Sequence, residues 1–236
     1  MNALHEFQTG SGDRIAPTSL ERPGDFYDHA AALLEEAGPQ VFEEVVPKLE
    51  SYEGKWHPLG FMAYKLGSIA GVGALRLDIW PEGLRHESPR GPKIHDHAWH
   101  LASLVNGEYT DVLYDVEEVG KVTSEEERNA RDLLRVYSPR LSAAVTSAAL
   151  CTDGTCARAT AVENRRVTTG NMHTIDVGVF HITDIPLGKR AATVLIESPI
   201  INTATRILMD TAGEPLTNPK REITPDEAAY AKAQIL

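Results

Sequence analysis

The chain has 236 residues, 42% of them hydrophobic and 24% charged, a length that fits one large domain or one domain with decorations. Its 23 basic and 34 acidic side chains give a net charge of −11, which opposes phosphate backbones and anionic lipid and sets nucleic acid and membrane surface aside as partners. The opening Met1-Asn2-Ala3-Leu4-His5-Glu6-Phe7-Gln8 lacks the basic-then-apolar pattern of a leader, and no run of eighteen apolar residues occurs, so the expectation is a cytoplasmic protein.

Residues 1–23 carry Gly, Ser, Pro and charge without periodicity and read as a surface arm. From Asp25 to Ala37 the apolar positions Phe26, Ala30, Leu33 and Leu34 recur at helical spacing, and Gly38-Pro39 is a stop signal. Val41, Phe42, Val45, Val46 and Leu49 repeat the spacing in a second helix that Pro47 must kink or shorten. Together, residues 1–55 form an arm and a helical preface. From Trp56 the texture changes to short stretches rich in β-branched and aromatic residues, punctuated by Gly, Pro and Asn-Gly.

Strands are predicted near Phe61–Leu66, Ala74–Trp80, His95–Val105, Tyr109–Val116, Leu134–Tyr137, Ser142–Cys151, Ala157–Asn164, Asn171–Val177, Phe180–Asp184 and Ala191–Ser198. Asn106-Gly107 marks a tight hairpin between two of them. The charged stretch 117–133 reads as a loop or short helix. Cys151 and Cys156 flank a turn at Thr152-Asp153-Gly154-Thr155 and are read as free thiols, with a local disulfide as the alternative. Many short strands without long intervening helices argue for an all-β core, sandwich or barrel, over residues 56–200. In the closing extension, 201–236, Thr224-Pro225-Asp226-Glu227 is a capping box with proline at the first helical position, ahead of a terminal helix.

Of nine histidines, four fall between His86 and His100. Ile94-His95-Asp96-His97 sets two imidazoles at i and i+2, which on a strand leave from one face and suit two adjacent ligands of one metal ion; a hydrogen-bonded surface pair is the alternative. The second segment runs Gly170, five residues, Asp176, one, Gly178, two, His181.

This pair of segments resembles the two motifs of the cupin family, with Asp176 where the family has proline. The resemblance implies a double-stranded β-helix, a jelly-roll barrel, with N-terminal helices and a C-terminal helix added. It also implies that His95, His97 and His181 hold one divalent metal ion, Fe(II) ahead of Zn, Ni or Mn, with open positions for substrate and dioxygen. The alternative is a metal-free lumen of hydrogen-bonded histidines. The family's usual Glu after the second His is absent, since those positions are Leu101 and Ala102. Three histidines without that Glu resemble the thiol dioxygenases, a branch that includes cysteine dioxygenase, and Thr193–Pro199 is similar to their closing strand. Leu195 and Glu197 stand where those enzymes have His and Tyr, so their substrate does not carry over.

Around the triad, His100 is a candidate fourth ligand or proton shuttle, or equally a rim histidine hydrogen-bonded to backbone, and His173 is a candidate acid–base group. Glu197 is a candidate base or extra ligand if its strand parity points inward, and otherwise an exposed carboxylate at the strand end, the reading favoured from sequence. Arg76 alternates with Leu75 and Leu77; inward-facing, it is a candidate anchor for a substrate carboxylate, and outward-facing a solvated arginine. Trp80, Trp99 and Tyr64 are candidate pocket walls or packing residues, and Trp56–Phe61 a lid or a helix-to-strand joint. The function expected is a metal-dependent, dioxygenase-like cupin acting on a small chelating substrate. A redox-silent isomerase, lyase or hydrolase, or a ligand-binding module, is the alternative. The family's habit of pairing through sheet edges implies a homodimer.

Overall fold

The computed structural model describes residues 23–57, 59–84, 94–121, 133–139, 150–202, 205–210 and 221–236. Phe26, Ala30, Leu34 and Ala37 form the buried stripe of α1 (Pro23–Gln40), as their spacing requires. The helix runs past the expected stop, with Pro39 inside it. A proline has no amide to bond one turn back, and just beyond it the chain widens into one broad turn (Val41–Val45) and then tightens into another (Val46–Ser51), with Pro47 near its start. The second helix is thus two single turns that bury Val41, Val45, Val46 and Leu49.

The strands are β1 (Gly54–Trp56), β2 (Met62–Ile69), β3 (Gly73–Trp80), β4 (Ile94–His95), β5 (Leu101–Lys121), β6 (Leu134–Pro139), β7 (Leu150–Cys151), β8 (Thr155–Thr168), β9 (Met172–Ile175), β10 (Phe180–Asp184), β11 (Ala191–Glu197), β12 (Ile207–Asp210) and β13 (Arg221–Glu222), followed by α2 (Pro225–Ile235). Pairing among the described residues is antiparallel throughout. The fold is therefore β-dominated with two helices. One sheet runs β9–β5–β11–β3–β2–β1–β13. A second closes on itself, from β5 through β10, β4, β12 and β6 to β8 and back to β5. β5 belongs to both: Leu101–Gly107 pairs with β11, and Glu108–Lys121 with β8.

That continuity overturns the hairpin expected at Asn106-Gly107. Gly107 takes φ +114° and continues the strand, and a Cβ there would lie 2.6 Å from the Arg190 carbonyl oxygen and 2.8 Å from Ala191 Cα. The glycine serves close approach of β11 rather than a turn. Conversely, the strand expected from His95 to Val105 is broken at residues 96–100. β5 extends to Lys121, into the stretch read as loop or helix, while residues 122–132 lie outside those described, as do the surface arm 1–22 and most of the strand predicted at Ser142–Cys151. Cys156 is a buried free thiol, and β7 pairs with β6 rather than across the turn with β8. The capping box forms as read: Thr224 Oγ1 accepts from Glu227 N, and the Glu227 carboxylate accepts from Thr224 N at 2.9 Å.

Both faces of the first sheet are covered. Leu75, Leu77, Ile79, Ala192, Val194 and Ile196 point toward α1 and its following turns and form one apolar core with Phe26, Leu34, Trp56, Met62 and Tyr64. At ~1.5–3 kcal/mol for each large side chain fully buried, this layer is the main source of stability. The alternate residues of the same strands, among them Arg76, Asp78, Ser103 and Thr193, point to the interior between the sheets.

Candidate metal centre

His95 and His181 are direct cross-strand partners on β4 and β10. His97 follows in the 96–100 segment, where the break in the strand swings it toward them. One ring nitrogen from each of the three lies within 4.8 Å of the other two, and the group is able to hold a metal ion. His97 Nε2 and His181 Nε2 stand 3.1 Å apart, the separation kept by adjacent nitrogen ligands of one ion at ~2.0–2.1 Å each. His95 and His181 are buried, and His97 is half-buried under Trp99, 5.4 Å between centroids. Burial, followed by the charges of His95, His181, Arg76 and His57, pushes the His97 imidazole well below its ordinary pKa. It stays neutral at neutral pH, the form that ligates.

The segment bearing His97 is fixed from several sides. Asp96, 1% exposed, pairs with Arg206 through Nε at 2.8 Å, and Arg206 lies over the Phe180 ring. The His97 carbonyl accepts from Gly178 N at 3.1 Å. Gly178 itself, at φ +77°, makes the turn between β9 and β10 that returns the chain to His181. The Ala98 and His100 carbonyls accept from Ile201 and Ser198 amides at 2.8 and 2.9 Å. A ligand on a loop held this way approaches the rigidity of one on a strand.

The other candidates divide. His173, on β9, faces the interior, its Nε2 3.3 Å from Asp111 Oδ2. Asp111 also meets His181 Nδ1, at 2.8 Å through Oδ1. Burial works to raise the Asp111 pKa, but the imidazoles of His173 and His181, the latter hydrogen-bonded to it, outweigh that and hold the carboxyl far below its usual range. Asp111 escaped the sequence reading because no motif surrounds it. Its one signal is strand parity, which it shares with Tyr109 and Leu113, both buried.

Arg76 faces inward, yet its guanidinium is already engaged. Nη2 reaches both Asp78 oxygens at 2.7 and 2.9 Å, and Nη1 is bonded to Glu197. A fork shared by two carboxylates is a poor anchor for a third, so the substrate-carboxylate role expected of Arg76 does not fit this arrangement. Glu197 has the inward parity considered for it and spends an oxygen on Arg76.

His100 is turned the other way, against α1: its ring lies 5.8 Å from Phe26 and 5.3 Å from Tyr27 between centroids, and Nδ1 is 2.9 Å from Tyr27 Oη. Tyr27 Oη also bonds Asp176 at 2.6 Å, so the residue standing in place of the motif's proline ties a helix to the β9–β10 turn. Tyr64 belongs to the apolar core rather than a pocket wall. The Trp56–Phe61 joint also forms part of a wall, His57 stacking on Phe61 at 4.4 Å and Phe61 on Trp80 at 4.8 Å. Among the described residues no helix is long and apolar enough to cross a membrane. Compared with known proteins, the chain matches no family model and no curated protein.

Proposed function

We propose that the chain is a cupin-type metalloenzyme, most simply a non-haem iron(II) dioxygenase that acts on a small metal-chelating organic substrate. The observation that carries this reading is the convergence of three imidazoles from two distant segments, with two of their Nε2 atoms 3.1 Å apart. Three neutral nitrogen donors fit a divalent ion and leave coordination positions open. Bound there, iron(II) would hold a chelated substrate and dioxygen side by side and relay electrons from the substrate, which is oxidised, to the dioxygen, which is reduced.

The protein's own residues do the rest. His95, His97 and His181 hold the ion. The anchored 96–100 segment keeps His97 in place, and Trp99 limits water on one side of it. Arg76, Asp78 and Glu197 form a fixed polar group that shapes the neighbouring interior rather than seizing a substrate carboxylate. His173 reaches the site through Asp111 rather than by touching it.

Elemental analysis of protein purified without added metal, followed by oxygen-electrode assays of the iron-loaded form with chelating thiols, diketones and hydroxy acids, tests the reading. Iron near one equivalent with substrate-dependent oxygen uptake is expected. Zinc alone, with turnover indifferent to anaerobiosis, would replace it with a Lewis-acid enzyme on the same three ligands.

A further inference from the structure

A carboxylate at the centre of a protein is expensive unless its charge is used. Asp111 is 0% exposed, on the strand shared by the two sheets. Its two oxygens face different imidazoles on different strands, His181 Nδ1 of β10 at 2.8 Å and His173 Nε2 of β9 at 3.3 Å. No Lys or Arg lies within ion-pair reach of it among the described residues; the facing β8 residue, Arg165, pairs instead with Glu163 at 2.9 Å.

The chemistry of that arrangement is directional. An ionised carboxylate can only accept, and a neutral imidazole carries one N–H. Next to Asp111 Oδ1, His181 must therefore place its proton on Nδ1, which strips Nε2 of hydrogen and leaves a lone pair. Nε2 is the atom that stands 3.1 Å from His97 Nε2 inside the triad. Without the carboxylate the two tautomers compete, and the ring plane is set only by packing against His95 and His97.

We propose that Asp111 is the positioning residue of the metal centre, fixing the tautomer and ring plane of His181, and that His173 acts as its brace on the second oxygen. This rests on the triad holding a metal and assigns roles that spacing alone does not give. His173 is then a residue that orients Asp111, not a group that meets substrate. Its ring is steadied by Tyr109, 5.9 Å away between centroids. Such outer partners typically govern ~10–100-fold of metal affinity.

The test uses the full chain as wild type, Asp111→Asn, Asp111→Ala and His173→Phe, each titrated with Co(II) against a chromophoric chelator. Co(II) absorption is recorded at saturation, and the melting of the metal-free protein by circular dichroism. Asp111→Asn, nearly isosteric, is expected to melt close to wild type when metal-free, yet to bind Co(II) ~10–100-fold more weakly with an altered visible spectrum; His173→Phe should lose less, under ~10-fold. Long-range 15N NMR of the Zn(II)-loaded wild type should show His181 protonated at Nδ1. Should Asp111→Ala fail to fold, Asp111→Asn carries the test alone. Equal Co(II) affinity and an unchanged spectrum in Asp111→Asn, in a wild type that does bind one Co(II), would overturn the positioning role and leave the triad standing. A wild type that takes up no Co(II) overturns the metal reading itself.

Discussion

Strands β3 and β11 carry opposite chemistries on their two faces, and both faces are buried. Toward α1 they present Leu75, Leu77, Ile79, Ala192, Val194 and Ile196, part of the apolar core. Toward the interior they present Arg76, Asp78, Thr193 and Glu197, none of which is exposed. The outer face, polar in a typical β-sandwich, is apolar on this sheet because helices cover it, and the interior face mixes these polar groups with Leu195 and Val105. The difference teaches where stability and chemistry are kept. Apolar burial under α1 holds the fold, which frees the space between the sheets for polar groups that would otherwise cost more than they return.

Truncating one side chain at the histidine centre and one in the apolar core should separate the two roles. His97→Ala, at a half-buried ligand that does not contact Asp111, is expected to abolish stoichiometric metal binding while shifting the melting of the metal-free protein little. Leu77→Ala should cost ~2–5 kcal/mol in chemical denaturation while its folded fraction keeps full metal occupancy. If Leu77→Ala alone lost metal, the division of labour between the faces would be wrong.

A smaller effect is expected within the interior itself. Glu197→Ala leaves Arg76 with Asp78 alone and should destabilise by about 1–3 kcal/mol, the range for a hydrogen bond to a charged group, with metal affinity unchanged by the same titration. Smaller again, Tyr27→Phe removes the hydroxyl that joins His100 and Asp176 and should cost about 1 kcal/mol. Metal content should be indifferent to it, and to His100→Ala, since His100 faces the helix.

The smallest effect lies outside both faces and appears in acid. Hydrogen bonding to Arg221 comes first among the causes that lower the Glu227 pKa from 4.5 to about 2. A depressed folded-state value contributes stability above the unfolded pKa and loses it as pH falls through the folded one. The contribution is therefore full above about pH 5 and fades toward pH 2. Glu227→Gln should flatten that acid arm of a urea-denaturation series and leave neutral-pH metal binding alone.

Much of this was legible in the residues. His-x-His at 95 and 97 offered two ligands by strand spacing, and the resemblance of the Gly170–His181 segment to a family motif implied the third, which the structure brings beside them. The capping box at Thr224 was legible because its residues are neighbours in sequence. Asn106-Gly107 misled because the glycine answers a tertiary demand, the approach of Arg190 and Ala191, that no local window contains. His100 and Asp111 are the instructive pair: one sits in the histidine-rich segment and faces away, the other sits in no motif and contacts a triad histidine. Side-chain direction depended on a strand break at 96–100 for the first and on parity along a 21-residue strand for the second, and neither is written in composition.

That long strand has a mechanical consequence. Because β5 is woven into both sheets, the halves of the molecule cannot part like a clamshell without tearing the ladders that bind β11 on one stretch and β8 and β10 on the next. The amides of β5 where it is paired on both sides should accordingly be among the slowest to trade their hydrogens for deuterium.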